Sequence, residues 1–428
     1  MTLGFHVTTL GCKLNQFDSA ELSGRLRGAV TGVADPAAAR LIIVNTCTVT
    51  AGADADARQV LRRRRRESPE ALIVATGCYA ERDPQALAAL PEVDLVLRRE
   101  DRPRAAVLIL DRLRERFPAA LADGCAEREA AAALPDFGER SRAFLRVQEG
   151  CDLVCSYCII PSVRGASRSV PPEEVQSRFH HLLEAGFREI VLTGVNTGDY
   201  GRDLTPRLSL VSLLERLAGL DGDFRIRLNS VEPRRVTPRL IDLLASEPRL
   251  ARHLQVPLQS GSDVVLRAMR RNYRVADYRA VIDALRARVP DIGVGADVIT
   301  GFPTEGPEEF DQTRHVLSSC GVSYLHVFTY SPRPGTPAAE LAPASASCEV
   351  KRRTEVLRSL GRELTETFVR SQIGRVSRAL VLAGRRDDGR ARALTSNFIE
   401  VALDGEPAAN TWRDVTIQGL DGGIPRAA

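Results

Sequence analysis

Three cysteines packed into one short run, Gly150-Cys-Asp-Leu-Val-Cys-Ser-Tyr-Cys158, constrain this chain more than any other feature. Thiolates spaced CxxxCxxC on a single loop can hold three irons of a four-iron, four-sulfur cluster. A cluster with a full protein shell takes four cysteines, and no fourth stands near these three. The remaining iron is then open to a substrate or cofactor. Zinc is the competing reading, but zinc loops pair two CxxC-like units and complete four ligands. The run follows directly on an apolar stretch, Ala143–Val147, so the cluster loop is expected where a β-strand ends.

The rest of the chain is long enough to enclose such a centre. With 428 residues, two or three domains are expected. No apolar run approaches the ~20 residues of a membrane span, and Met1-Thr-Leu-Gly-Phe-His lacks the pattern of a secretion signal. Nine cysteines, an odd number, argue for a cytoplasmic, reducing setting and for metal chemistry over disulfides. No membrane partner is expected. The net charge is only +4, although nearly all the cations are arginine and the lysines are just Lys13 and Lys351. Arginine suits phosphate recognition, but codon bias gives the same composition, and that reading carries more weight.

The pattern predicts an α/β protein in zones. In about 1–110, apolar strands at Phe5–Leu10, Leu41–Val44 and Leu72–Ala75 each run into a loop with one cysteine: Cys12, Cys47 and Cys78. Helical stretches follow at Asp18–Arg27 and Asp54–Arg66. Strand–helix alternation implies a parallel sheet whose loops line one edge, so the three cysteines are expected to converge on a second cluster with an open iron. Buried free cysteine is the bland alternative, but three matching positions disfavour it. Residues of about 111–139 read as a helical or partly disordered linker, and Cys125, Cys320 and Cys348 match no ligand pattern.

The zone of about 140–366 offers six strand–helix units, with strands at Ala143–Val147, Glu189–Leu192, Arg225–Leu228, Leu254–Val256, Gly293–Val298 and Leu325–Phe328. They fit a partial barrel, and polar groups recur just past the strands: Gly194, Asn196, Asn229, Glu232, Gln259, Ser260, Thr300 and Tyr330. Barrel active sites are built at that end. The last zone, about 367–428, carries short β-like runs between turn residues and reads as a compact β-barrel.

Over nearly its whole length the chain resembles the methylthiotransferase family of radical S-adenosylmethionine (SAM) enzymes. The resemblance rests on Cys12/Cys47/Cys78, then Cys151/Cys155/Cys158 with Tyr157 before the last cysteine, then the small β-domain. It implies a methylthiotransferase N-terminal domain, a radical SAM partial (β/α)6 barrel and a C-terminal all-β barrel of the RNA-binding TRAM type. The wording Thr9-Leu-Gly-Cys-Lys-Leu-Asn-Gln-Phe-Asp-Ser19, Asn45-Thr-Cys-Thr-Val-Thr50, Thr76-Gly-Cys-Tyr-Ala80 and Ile159-Ile-Pro-Ser-Val-Arg-Gly-Ala-Ser-Arg168 is similar to the MtaB-type group. Neither the GCQMN and NTCSIR wording of the group acting on isopentenyladenosine nor the GCPKN and NTCGF wording of the group acting on a ribosomal protein is present.

That resemblance implies addition of a methylthio group to C2 of N6-threonylcarbamoyladenosine, beside the anticodon of tRNA. It implies two 4Fe-4S clusters and SAM, with Cys151, Cys155 and Cys158 generating the radical and Cys12, Cys47 and Cys78 holding the sulfur. Gly194, Asn196, Asn229 and Gln259 are the candidate SAM contacts. Arg164 and Arg168 are the candidate RNA contacts, and the run Arg62–Arg66 reads either as a further RNA contact or as a largely solvated helix. Asn397 and Arg385–Arg386 are plausible RNA-facing groups, while Phe398 reads as core. The partners implied are tRNA and an electron-donor protein of flavodoxin or ferredoxin type. Competing readings are the same chemistry on isopentenyladenosine tRNA or a ribosomal protein, and a non-catalytic metal-containing RNA-binding protein. Two departures from the family wording stand out: Ser162 after the Ile-Ile-Pro stretch, and Thr304-Glu-Gly306 where GET is usual, an exchange expected to alter a turn.

Overall fold

A computed structural model describes residues 3–118, 135–138 and 140–427; Cys125 lies outside them. The chain forms two compact units. The first gathers Met1–Gly138 with the segments Cys158–Ala166 and Ser331–Gly335, and the second gathers Glu139–Tyr157, Ser167–Tyr330 and Thr336–Ala428.

The first unit is built on a parallel sheet of β1 (Gly4–Thr9), β2 (Thr31–Gly32), β3 (Leu41–Thr46), β4 (Leu72–Gly77) and β5 (Leu95–Val96), in the order β2-β1-β3-β4-β5. The β3 run Leu-Ile-Ile-Val-Asn-Thr is buried at every position, as a central strand covered on both faces must be. Leu41 and Ile43 join one apolar cluster with Ile109 and Leu113, and Ile42 and Val44 join another with Leu61 and Leu87. Each such side chain contributes about 1.5–3 kcal/mol on burial. Helix Ala51–Glu67 starts where the Thr50 side chain accepts from the Ala53 N–H, a capping bond that supplies one of the orphan donors of the first turn.

In the second unit, β6 (Arg142–Arg146), β9 (Glu189–Thr193) and β10 (Arg225–Leu228) form one parallel sheet. The short ribbon of β7 (Gln148–Glu149) and β8 (Arg168–Ser169) lies between them in sequence. Strands β11 (His253–Gln255), β12 (Gly293–Thr300) and β13 (Tyr324–Thr329) form another parallel sheet. Bridges Ile226–Leu250 and Ser230–Gln255 join the two, so six strands follow one another in chain order as an open barrel. Side chains alternate between its faces. On the outer face, helix Ser347–Ser371 lies over Leu325 at Gly361. A closed antiparallel barrel follows, from β14 (Val376–Arg385), β15 (Ala391–Thr395), β16 (Glu400–Leu403), β17 (Trp412–Asp421) and β18 (Ile424–Ala427).

The small barrel is docked against the N-terminal end of the open one. Glu189 is 0% exposed and accepts from Arg225 Nε at 2.6 Å and from Arg227 Nε at 2.8 Å, with Arg142 at 3.5 Å. Burial opposes ionisation of Glu189, but the guanidinium groups of Arg227, Arg225 and Arg142 outweigh it and hold the carboxyl far below the usual range. The same arginines reach onward: Arg225 donates to the Arg378 and Leu394 carbonyls, and Arg227 to those of Thr395 and Ser396. Phe398, at φ 72°, stacks on His253 at 4.3 Å, and Arg227 lies 5.1 Å from its ring centre. Gly293 makes room for this turn, because a Cβ there would stand 2.1 Å from the Asn397 carbonyl oxygen.

These contacts revise three expectations. Phe398 is neither in a strand nor in the small barrel's own core; it packs on the neighbouring barrel. Asn397 is buried and donates to the Asp291 carbonyl and the Gln372 side chain, so it does not face RNA. The Thr304–Gly306 exchange costs no turn, since neither Thr304 nor Gly306 is held at positive φ. Helix Ser347–Ser371 and strand β18 were not anticipated. Helix Ala105–Arg116 reaches into the start of the region of about 111–139, most of which lies outside the described residues.

Candidate functional site

In the first unit the loops after β1, β3 and β4 come to one edge of the sheet. Gly11, at φ +90°, lies so close to Cys47 that a Cβ there would stand 2.9 Å from its Sγ. Burial raises the Cys47 thiol to about 11, and the neighbouring Cys78 and Cys12 add to the rise. Burial also raises Cys78, which lies within hydrogen-bond range of Asn15. The three sulfurs thus sense one another from three separate loops. Cys47 and Cys78 are buried and Cys12 is exposed. The Cys47 loop is pinned from beside it: Thr48 donates to Asp54 at 2.5 Å, and buried Arg333 donates to both Thr48 and Asp54. Sequence reasoning missed Arg333, which is 285 residues away from Thr48 and carries no local signal.

In the second unit the cysteine run leaves β7 with no regular structure of its own, and neighbours hold it in place. Gln148 is fully buried; its amide donates to the carbonyl oxygens of Glu149 and Gly150 and to Ser167. Its Oε1 accepts from the Asn196 N–H at 2.9 Å, joining the run to the loop after β9. Ser156 donates to the carbonyls of Met269 and Ala268 and accepts from Ala338 N–H. Tyr157 meets Phe302 edge to face. Arg271 lies 3.0 Å from Cys155 Sγ and pairs with Glu232, and burial raises the carboxyl of Glu232 in spite of that partner. Burial likewise raises the Cys151 thiol to about 11. Cys158 and the helix Ile160–Arg164 that follows it belong to the first unit.

The four candidate SAM contacts stand past β9, β10 and β11, at the C-terminal end of the open barrel. Gly194 faces Gln148, with 2.9 Å from a would-be Cβ to Oε1, and is buried. Asn196 is buried; its Nδ2 donates to Asp199, while its Oδ1 has no hydrogen-bond partner. Asn229 and Gln259 are half-buried, and Gln259 holds φ 66°. A buried acceptor without a donor is costly to leave so, and it fits the amino group of SAM. The donor sets also fit clusters. Among the described residues no three His, Cys, Asp or Glu side chains converge on a single ion; cluster ligands, each on its own iron, need not.

The two candidate RNA contacts differ. Arg168 is exposed on β8. Arg164 is 3% exposed, and its guanidinium bonds Asn15 at 2.6 Å and Asp18 at 3.2 Å. That burial corrects the expectation of a phosphate contact: Arg164 supports the Cys78 surroundings. Of the run Arg62–Arg66, Arg63 and Arg64 pair with Glu67 and Arg65 with Asp94. In the small barrel, Arg385 pairs with Glu406 and Arg386 with Glu400.

Residues 145–317 match the family described as the radical SAM superfamily, and residues 4–98 match uncharacterized protein family UPF0004. The chain is 37% identical over 401 residues to a threonylcarbamoyladenosine tRNA methylthiotransferase MtaB of Aquifex aeolicus, covering 93% of this chain and 96% of that one. It is 35% identical over 413 residues to a tRNA-2-methylthio-N(6)-dimethylallyladenosine synthase of Syntrophotalea carbinolica, covering 94% of each. Among solved structures, the radical SAM methyltransferase TsrM of Kitasatospora setae superposes with a TM-score of 0.56 at 16% identity, over 79% of this chain and 75% of that one. That likeness concerns the fold alone. On sequence and architecture together, the chain belongs to the methylthiotransferase family of radical SAM enzymes.

Proposed function

We propose that this protein adds a methylthio group to C2 of N6-threonylcarbamoyladenosine in tRNA. The observation that carries the reading is the presence in one chain of two cysteine triads, one gathered at a sheet edge from three loops and one on a single loop past a barrel strand. Relatives named for the threonylcarbamoyl substrate and for the dimethylallyl one both align over most of the chain, and the first two cysteine loops favour the former. Cys151, Cys155 and Cys158 would hold one 4Fe-4S cluster, and Cys12, Cys47 and Cys78 the other. When bound, the clusters and SAM supply one-electron cleavage of SAM and the sulfur to be transferred.

The chain's own residues set the stage for that chemistry. Gln148 and Ser156 fix the cysteine run, which spares the ordering cost at the moment of reaction. Arg271 places a positive charge beside Cys155. Gly194 and Asn196, with Asn229 and Gln259, would line the SAM site, and Arg168 would meet tRNA. The small barrel docks at the far end of the open barrel through Arg225, Arg227 and Phe398. We assign a domain division at about 1–110, 111–139, 140–366 and 367–428, the last part binding RNA. An electron-donor protein of flavodoxin or ferredoxin type and a cytoplasmic location complete the reading; no described helix is long and apolar enough to cross a membrane.

Mass spectrometry of tRNA nucleosides from cells with and without the gene tests this reading. Loss of 2-methylthio-N6-threonylcarbamoyladenosine, with its unthiolated precursor accumulating, is the expected result. An unchanged profile would refute it. In the purified enzyme, Cys47→Ala is expected to leave SAM cleavage measurable while stopping thiolation, and normal methylthiolated product from that variant would rule out the role given to Cys47.

A further inference from the structure

The inner wall of the open barrel carries a polar row that none of the chemistry above uses. Gln255, Asp297 and His326 stand side by side on β11, β12 and β13: Gln255 pairs in register with Gly295, and Asp297 with His326. Leu325 and Val327 alternate to the other face, where Leu325 meets helix Ser347–Ser371, so His326 and Phe328 face inward.

The hydrogen bonds of the row converge on Asp297, and the Gln255 amide nitrogen also lies 3.3 Å from His326 Nδ1. The Tyr324 hydroxyl donates to Gln255 Oε1 at 2.6 Å, which turns the Gln255 amide nitrogen toward Asp297 Oδ1 at 2.7 Å. His326 Nδ1 meets the same oxygen at 3.1 Å. Gly295 is what permits this. A Cβ there would stand 2.0 Å from Gln255 Oε1 and 2.4 Å from the Tyr324 hydroxyl, so the strand is bare where the two side chains cross it.

Both bonds land on Oδ1 of Asp297, which leaves Oδ2 as an acceptor. His326 is 52% exposed through its side chain, with Nε2 turned from the pair. Its neighbour on the same face, Phe328, is 49% exposed and meets the His326 ring edge to face at 6.5 Å. A groove of about 930 Å³ runs around the edge strand β13, lined by Leu325 and Val327 on one face and His326 and Phe328 on the other, with Arg358 and Arg362 beside them, so both residues are reached from that edge.

We propose that this row reads the polar N6 substituent of the target adenosine, with Phe328 as the stacking face for its purine. The assignment rests on the threonylcarbamoyl reading above. A threonylcarbamoyl group carries a ureido N–H and a hydroxyl, both donors that Asp297 can accept, and a carboxylate or hydroxyl that the free edge of His326 can bond. A dimethylallyl group offers methyls only. Its substituent would cover the Asp297 carboxylate without offering it a donor, and a site built to hydrogen-bond its substrate rejects the apolar analogue strongly for that reason. Phe328 lies two residues nearer the C-terminal end than His326, about 7 Å along the strand. The purine is thereby held nearer the cysteine run than its substituent.

The test uses the cluster-loaded enzyme and three anticodon stem-loop RNAs that differ only at the target base: unmodified, N6-threonylcarbamoyl and N6-dimethylallyl. Affinities are measured for wild type, His326→Leu and Asp297→Asn. Wild type is expected to favour the threonylcarbamoyl RNA by about tenfold or more, the value of one or two well-made hydrogen bonds. Both variants are expected to lose most of that preference while binding unmodified RNA within about twofold of wild type, which also reports intact folding. Variants that keep the preference, or that weaken all three RNAs alike, would overturn the assignment. A wild-type enzyme that favours the dimethylallyl RNA or shows no preference would instead overturn the threonylcarbamoyl reading itself.

Discussion

The two ends of the open barrel are made from the same six strands and solve opposite problems. At the N-terminal end, Glu189, Arg225 and Arg227 are buried together with half-buried Arg142 beside them, and Arg225 and Arg227 bond onward to four carbonyls of the small barrel. At the C-terminal end the groups are partly exposed and partly unsatisfied: Asn196 Oδ1 has no hydrogen-bond partner, and Cys151 and Cys155 are half-buried. The comparison teaches that polarity by itself does not mark a site. A buried polar cluster whose members satisfy one another is architecture, and one with capacity left over is available to a ligand.

Substitutions at the two ends should therefore fail differently. The largest effect is expected at the open end, where Cys155→Ala abolishes 5′-deoxyadenosine formation from SAM, measured by chromatography, with the denaturation midpoint little changed. Next comes the closed end. Glu189→Ala leaves buried guanidinium groups without their anion and should cost about 3–5 kcal/mol of stability in denaturant unfolding. Each molecule still folded should cleave SAM at the wild-type rate.

Acid sharpens the same contrast. Because the folded carboxyl of Glu189 lies below its unfolded value, its contribution is fully present at neutral pH. It is lost as pH falls from about 4.3, the ordinary glutamate value, toward the depressed folded value. Stability measured down that window should fall in wild type and be flatter in Glu189→Gln.

Arg271→Leu removes the charge beside Cys155 and strands Glu232. A fall of about tenfold to a hundredfold in SAM cleavage is expected, comparable to losing a supporting partner of a metal ligand. The smallest of the set is Phe398→Ala, at about 1–3 kcal/mol, because the ring is only partly buried on His253. A Phe398→Ala protein with unchanged stability but weakened RNA binding would break the comparison, since it would move that turn from architecture to recognition.

Much of this was legible in the chain because it is local. The strand runs, the three single-cysteine loops and the CxxxCxxC run are each contiguous, and period-two or strand–helix alternation places their ends at one edge. What escaped notice is nonlocal. Glu189, Arg225 and Arg227 sit at strand starts, where a charge ordinarily signals solvent, and only their meeting across two strands and a second barrel makes them core. Phe398 looked like an interior β residue because its neighbours are; its positive φ turns it outward. Arg164 was misplaced for the opposite reason, as nothing near it in sequence announces Asn15 and Asp18. Gln255, Asp297 and His326 belong to three strands and form a row only once the register is known.

The docked turn has a consequence for how the protein is made. Ser396 to Phe398 come late in the chain, yet Ser396 completes the burial of Arg227, made 169 positions earlier. A ribosome that has finished the open barrel has not finished its floor. A nonsense codon shortly before residue 395 would therefore remove more than the small barrel: it would release an open barrel with arginines and a glutamate open to water, and quality control would meet it as an unfinished protein.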